Sequence, residues 1–277
     1  MNPSPGREMS GPVRVISDLH FGHRSSKVRD VAMLRPLLEG VGKVIFNGDT
    51  CEQLYEGWRA RGEEMFKELV ALCEGMGVEA VFVRGNHDPQ ISEIGWVTAC
   101  GGKVMITHGD LVLDNPSPWS RECLLRKKEV AEILSSRAEG DGSLHYRWQT
   151  LQLINQVVLP TELKKKTLFS GTVFNAVWPP ERLYHILRVW LGIGRYAEKF
   201  VEQFVPECRV LIFGHFHRAT VIERNGRLFC NTGAYFPMSQ ARVVDLSEDE
   251  IVVREVVEQG SEFQLGREVK RRSLAER

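Results

Sequence analysis

Five short polar signatures, each directly behind an apolar run, set the strongest constraint on how this chain folds. They are Asp18-Leu19-His20, Asn47-Gly48-Asp49, Gly85-Asn86-His87-Asp88, Thr107-His108-Gly109-Asp110 and Gly214-His215-Phe216-His217. The runs before them, Val13–Ser17, Lys43–Phe46, Ala80–Val83, Val104–Thr107 and Val210–Phe213, are short, rich in β-branched residues and closed by Gly, Asp or His, which is the composition of strands. Each signature therefore projects polar side chains from a strand end. A lone Asp-x-His or Gly-Asp is usually a turn. Five in order, each behind a strand and together holding His20, His87, His108, His215 and His217 of the eight histidines, are not explained by turns.

Between the early strands lie helical patterns at Arg29–Leu38 and from about Glu56 to Leu72, the second with Trp58, Met65, Phe66, Leu69 and Leu72 at roughly helical spacing and Gly75 and Gly77 behind it; the periodicity and the glycines mark a helix and its end. Strand–helix alternation predicts a layered α/β core. After His217, Ala219–Glu223 and Arg227–Asn231 flank Asn225-Gly226, a hairpin signal because Asn-Gly supplies both positive-φ positions of a type I′ turn. Ala241–Leu246 and Ile251–Val257 continue in strand style. The expected core is a sandwich of mixed sheets, the second built largely from the C-terminal third. Residues 267–277 are charged and aperiodic and are read as a frayed tail.

The fourth and fifth signatures are separated by a long interruption, where about six residues would make an ordinary connection. Residues 115–205 hold four of the six tryptophans and 13 Lys/Arg against 9 Asp/Glu. Glu122–Leu134 and Tyr146–Val158 read as helices, and Glu181–Phe204 as one or two, broken near Gly192 or Gly194. The expected organisation is a core of residues 1–114 and 206–266 with 115–205 as a helical cap beside the signatures.

Net charge is zero, with 36 basic and 36 acidic residues, so no global field draws the chain to nucleic acid. The six cysteines are scattered without a CxxC pair, the usage of reduced thiols in a cytoplasmic protein. The first ten residues lack the apolar stretch of a signal peptide. No apolar run approaches the ~20 residues of a spanning helix. A cytoplasmic protein, at most peripheral to a membrane, is expected.

Carboxylate, imidazole and amide oxygens together suit divalent Mn, Fe, Co, Ni and Zn. Two such ions ~3.5–4 Å apart activate a bridging hydroxide and stabilise the oxygens of an in-line displacement at phosphorus. That arrangement needs a carboxylate shared by both ions. Asp49, behind a glycine that lets the strand end turn sharply, is the natural one.

The ordered set resembles the calcineurin-like metallophosphoesterases, whose pattern is DxH, GD, GNH(D/E), H and GHxH, and the resemblance spans residues 18–217. It implies a four-layer αββα sandwich and two divalent ions, Mn foremost among the candidates. It also implies that Asp18, His20, Asp49 and His217 surround one ion, and that Asn86, His108, His215 and the shared Asp49 surround the second. His87 would face the scissile phosphate and assist the leaving oxygen, with Asp88 orienting it through a hydrogen bond. Glu52 fits a GDxx(D/E) extension and would stand behind the ligands. His23 fits no ligand position and is read as a rim or surface residue, His145 and His185 as helix-surface residues, and Cys51 as a buried thiol.

Substrate is the less determined reading. Arg121, Arg126, Lys127 and Lys128 in the insertion could meet phosphates, as could Lys164–Lys166. Trp148, Phe169, Phe174, Trp178 and Trp190 could line an apolar groove or fill the cap's own core. The placement of the insertion, the His-Gly-Asp at 108–110 and the lack of a spanning segment resemble the UDP-2,3-diacylglucosamine pyrophosphohydrolases. That resemblance implies a lipid-linked nucleotide sugar as substrate and peripheral membrane contact through the cap. Many of those enzymes carry Arg where this chain has His87. Nucleotide, sugar or protein phosphoesters are the alternatives, and a non-catalytic scaffold is disfavoured because none of the eight ligand positions is substituted.

Overall fold

The computed structural model describes residues 6–9, 11–158 and 181–275 of the 277. The chain forms two compact units, Met1–Gly109 with Glu207–Arg277, and Asp110–Pro206. Every residue of the five signatures except Asp110 belongs to the first.

The first unit is built on two six-stranded sheets. One runs in the order β1 (Gly6–Met9), β5 (Trp96–Ala99), β6 (Val104–Thr107), β7 (Val210–Phe213), β9 (Arg227–Asn231) and β8 (Thr220–Arg224). The other runs β12 (Glu262–Ser273), β11 (Glu250–Gln259), β10 (Arg242–Leu246), β2 (Val13–Ile16), β3 (Lys43–Asn47) and β4 (Glu79–Val83). In the second sheet β2, β3 and β4 are parallel, with Val15 opposite Ile45 and Ile45 opposite Val81.

The alternation of side chains explains the layers. Val13, Val15, Ile45, Val81 and Val83 point inward and meet Val97, Ile106, Val210 and Ile212 of the other sheet in one buried cluster. The intervening residues Ile16, Val44 and Phe46 point outward, onto Val31, Leu34, Leu37, Leu38, Met65 and Leu69. These last belong to a 3₁₀ turn (Val31–Leu34) and the helices α1 (Arg35–Leu38) and α2 (Glu56–Gly75). Burying one such aliphatic side chain contributes roughly 1.5–3 kcal/mol. A one-residue slip of β2 or β3 would exchange the two buried faces, so the register is firmly set. This is the expected mixed α/β sandwich.

Three expectations about the first unit change. Arg29–Leu38 is not one helix: Asp30 Oδ1 accepts from Ala32 N at 2.8 Å and caps the short 3₁₀ turn before Arg35, and Pro36 follows in the first turn of α1. The C-terminal third does not build a sheet of its own. Strands β7 to β9 join one sheet and β10 to β12 the other, because β10 returns antiparallel to β2. Nor do residues 267–273 fray. They continue β12, pairing with β11 as far as Ser273 opposite Glu250. Their charges are paired: Arg267 forks onto Glu255 of β11 with two 2.8 Å bonds, and Arg271 bonds Glu250 of β11 and Glu268 of its own strand. A charged outermost strand also resists further edge pairing, so the composition read as a tail is that of an exposed edge.

The second unit holds α3 (Arg121–Leu125), α4 (Lys127–Ser136), α5 (Leu144–Val157) and α6 (Glu181–Phe204). The helix expected over Glu122–Leu134 is two, separated at Arg126, whose φ of −110° and ψ of 28° leave the helical region. The expected break in Glu181–Phe204 does not occur. Gly192 is buried beneath the Tyr196 ring, where a Cβ would lie 2.6 Å from it. The glycine penalty, up to about 1 kcal/mol, is outweighed by burial of Val189, Ile193, Phe200 and Val201 on the same helix. The first half of α6 leaves Leu183, Tyr184, Leu187 and Leu191 exposed. Among the described residues no helix is long and apolar enough to cross a membrane.

Candidate metal centre

All five signatures sit at the C-terminal ends of β2, β3, β4, β6 and β7. The two sheets are stitched together there by polar contacts. His215 N donates to Asp18 Oδ1 (3.0 Å), Asn47 Nδ2 to Thr107 O (2.8 Å) and Asn231 Nδ2 to Gly214 O (2.7 Å). Ser17 Oγ hydrogen-bonds the other Asp18 oxygen and Thr232 Oγ1. The His215–Asp18, Asn47–Thr107 and Ser17–Thr232 bonds fix the distance between loops of different sheets, and the Asn231–Gly214 bond ties neighbouring strand ends of one sheet.

Backbone conformation singles out the same residues. Of the seven non-glycine residues with positive φ among those described, Asp18, His20, Asp49, His215 and His217 lie in the signatures. The left-handed conformation costs an L-residue on the order of 1 kcal/mol, and glycine would relieve it. Side chains are kept at these five positions at that cost, the pattern of strain stored at a functional site. Gly48 shows the complementary need: its φ is +79°, and a Cβ there would overlap the His108 ring.

The donor atoms converge in three overlapping groups: Asp18, His20, Asp49 and His217; Asp49, His108 and His215; and His20, Glu52 and His87, the last held together by hydrogen bonds from both rings to the Glu52 carboxylate. Hydrogen-bond partners settle which ring nitrogens face inward. His20 Nδ1 donates to Glu52 Oε1 at 2.9 Å, so in the neutral ring its Nε2 presents a lone pair, 3.2 Å from His217 Nε2 and 3.6 Å from Asp49 Oδ2. His108 Nδ1 donates to Asn47 O at 3.2 Å, which aims its Nε2 at Asp49 Oδ2 (3.2 Å) and Asn86 Oδ1 (3.1 Å). His217 Nε2 lies 3.4 Å from Asp18 Oδ1. Lone pairs and carboxylate oxygens thus face one another in a buried space. Neutral packing does not favour that arrangement, and a cation stabilises it, so the residues present fit divalent metal ions.

Charge follows the same geometry. Burial opposes ionisation of Asp49, yet in the metal-free protein the protonated forms of His108, His87 and His20 outweigh it and hold the carboxyl well below the usual range. Asp18 is likewise held low by His217 and His108 against its burial. Burial would lower His87, but the Glu52 and Asp49 carboxylates raise it to about 10. His23 is pushed down to about 4, chiefly by burial.

One expected contact is replaced. Asp88 does not orient His87: Oδ1 accepts from Gly85 N (2.7 Å) and Asp49 N (3.1 Å), and Oδ2 from Thr50 N (2.6 Å) and Cys51 N (3.3 Å). A carboxylate following β4 in sequence has to bind the loop after β3, because those N–H groups have no strand partner there. Glu52 takes the His87 role instead. Its Oε2 accepts from His87 Nδ1 at 2.9 Å while Oε1 holds His20, so one buried carboxylate fixes two rings. The only sequence signal for this is the spacing of Glu52 from Asp49.

The insertion residues are less informative. Arg121 opens α3, Arg126 sits at the break before α4, Lys127 and Lys128 are exposed in the first turn of α4, and Trp148 is half-buried in α5 beside His145. Trp178, with Lys164–Lys166, Phe169 and Phe174, lies outside the described residues. A cavity of about 420 Å³ within this unit is lined by Arg137, Tyr146 and Arg147 rather than by the basic residues singled out from the sequence.

Comparison with solved structures gives a double mutant of Vps29 from Entamoeba histolytica at 15% identity, covering 95% of this chain and 99% of that one with a TM-score of 0.47. A predicted phosphoesterase from Streptococcus pneumoniae TIGR4 matches at 14% identity over 95% and 97%, with a TM-score of 0.39. A cold-active protein-tyrosine phosphatase from a psychrophilic Shewanella species matches at 11% over 96% and 83%, with a TM-score of 0.40. No curated protein sequence matches the chain. The sequence profile described as calcineurin-like phosphoesterase matches residues 11–219, a span that holds all five signatures. With donor groups fit for divalent ions at its strand ends, the chain belongs to the calcineurin-like phosphoesterase family, as a metal-dependent phosphoesterase.

Proposed function

We propose that the chain hydrolyses a phosphoester or pyrophosphate with two divalent ions, one held by Asp18, His20, Asp49 and His217, the other by Asn86, His108, His215 and Asp49. The observation that carries this reading is the convergence of unprotonated ring nitrogens and carboxylate oxygens on two adjoining points that share Asp49. When bound, such a pair supplies the activated water and the positive charge that stabilises the phosphoryl oxygens. The protein's own part is position and protons. Asp49 Oδ1 accepts from His87 N at 2.8 Å, which leaves Oδ2 toward the imidazoles and fixes the His87 backbone. With His87 Nδ1 occupied by Glu52, its Nε2–H is the proton available to a leaving oxygen.

Replacing His87 with alanine is expected to retain metal and to cut turnover by ~10²–10⁴, the usual loss for a removed proton donor. Metal loss in that variant, measured by elemental analysis, would instead make His87 a ligand.

For the substrate we take a lipid-linked nucleotide sugar such as UDP-2,3-diacylglucosamine as the reading to test first. Its support is the net-positive, tryptophan-rich insertion and the exposed Leu183, Leu187 and Leu191 of α6, which suit an amphiphile or an interfacial contact. The discriminating measurement is an activity panel in Mn, Zn, Fe, Co and Ni with a monoester, a diester, a nucleotide pyrophosphate and UDP-diacylglucosamine, the last also presented in vesicles. Preference for the lipid and sedimentation with vesicles support it. Preference for a water-soluble ester moves the chain to nucleotide, sugar or protein phosphoesters, and no turnover on any ester in any metal leaves a scaffold.

A further inference from the structure

A second group of side chains adjoins the ligand cluster and belongs to neither buried core. The Phe236 ring lies 4.8 Å from that of His20 and 5.1 Å from that of His217, centre to centre. His23 stands 5.2 Å from Phe236, Trp58 4.2 Å from His23, and Tyr55 4.8 Å from Trp58. All four residues are half-buried. None is among the residues of the cluster between the sheets or of the one under α1 and α2. They make a continuous aromatic wall running outward from the His20–His217 side of the site.

The backbone holds this wall by three separate devices. Gly22 (φ +87°) and Gly62 let the loop after Leu19 touch α2 directly. A Cβ on Gly62 would lie 2.8 Å from Phe21 O, and one on Gly22 would overlap Trp58 O. That close approach sets His23 against Trp58. His23 is fixed further because its Nδ1 accepts from Ser25 N at 3.0 Å. Phe236 sits in a tight turn in which Ser239 N donates to Phe236 O (3.0 Å) and Ser239 Oγ donates to His217 O (2.9 Å). The turn thereby ties the ring to a ligand residue.

Contiguous, partly open aromatic rings beside a polar cluster are the kind of surface that serves ligand binding. Their contacts with one another are edge-to-face or tilted, and aromatic side chains of this kind receive planar rings by stacking. A phosphate held at the ligand cluster would bring its ester substituent against this wall.

We propose that Phe236, His23, Trp58 and Tyr55 form a stacking subsite that selects phosphoesters whose substituent is a planar ring, an aryl group or a heterocyclic base. This rests on the hydrolase reading above and names the class of group that reading leaves open.

The test measures, by titration calorimetry on the Mn-loaded full chain, binding of phenylphosphonate and methylphosphonate, with phenyl phosphate and methyl phosphate as substrates. Wild type is expected to favour the phenyl member about 10- to 100-fold, the size of one aromatic stack, in Kd and in KM, the kcat difference between the esters following their leaving groups. In Phe236→Leu and Trp58→Leu, which keep apolar bulk, the phenyl-to-methyl ratio should fall toward one while metal content and melting temperature hold. Equal affinity for the two phosphonates in wild type, or a ratio unmoved by both variants, overturns the subsite. Hydrolysis of both esters with equal KM overturns it and keeps the hydrolase. Ring preference in binding with no turnover keeps the subsite and overturns the hydrolase, and binding of neither phosphonate overturns both.

Discussion

Asp49→Asn is expected to abolish hydrolysis and remove metal while leaving the apo fold intact. Asparagine tolerates the φ of +50° that Asp49 adopts, and its Oδ1 can still accept from His87 N. What changes is the second atom of the group. An amide NH₂ in place of Oδ2 would donate into the lone pairs of His108 Nε2 and His20 Nε2, 3.2 and 3.6 Å away. It would occupy the very orbitals a cation needs. The melting temperature of metal-free protein should therefore hold or rise. Wild type should gain about 2.7 kcal/mol of stability at metal a hundredfold above Kd, and the variant should gain none. Elemental analysis and thermal melts with and without Mn check this. Undiminished turnover with full metal content would remove Asp49 from the shared position.

Glu52→Gln is the second large effect, from a residue that touches neither the proposed ions nor the substrate. A carboxylate accepts from both His20 Nδ1 and His87 Nδ1, each at 2.9 Å. Glutamine offers one acceptor and one donor, so one ring must accept at Nδ1. If that ring is His20, its proton moves to Nε2 and a ligand is lost. If it is His87, the ring loses the charge that keeps it protonated. Loss of about 10- to 100-fold in metal affinity or activity is usual for such a partner, and more where proton transfer also fails. Metal content separates the two branches.

The pH profile carries the sign. In the metal-free protein the Glu52 and Asp49 carboxylates, against burial, raise His87 to about 10. Its contribution to stability is complete below the unfolded value of ~6.5 and is lost as pH rises through about 10. Glu52 is lowered by His87 and His20 against burial, so its contribution is present above ~4.5 and is lost on acidification. Bound cations push His87 down, which places the alkaline limb of kcat in loaded enzyme below about 10. The limb should move lower still in Glu52→Gln and vanish in His87→Ala. A limb that ignores both substitutions would assign the titration to another group.

Much of this was readable from residue order. Strand periodicity alone located Val104–Thr107 and Val210–Phe213, and Asn225-Gly226 marked the hairpin, where both residues take positive φ. These are local properties, fixed by side-chain alternation and by steric limits on a few backbone angles. The features that residue order conceals share a cause too. The Arg267 and Arg271 segment looked like solvent-bound charge because its partners, Glu255 and Glu250, lie in another strand. Gly192 looked like a break because the ring that shelters it is brought close only by the helix itself.

The chemistry divides along the same line. Residue types behind strand ends named the donor set, since coordination chemistry restricts which side chains can serve a divalent ion. Sequence by itself determined the family, the strands that carry the five signatures and the residue types available as ligands, but not β1, β5 or β12. Tertiary structure alone decided that Glu52 rather than Asp88 holds His87, which ring nitrogens face inward, and that Trp58 and Phe236 stand beside the same cluster. Hydrogen-bond direction and ring stacking depend on distances between segments up to about two hundred residues apart, and no local pattern encodes those distances.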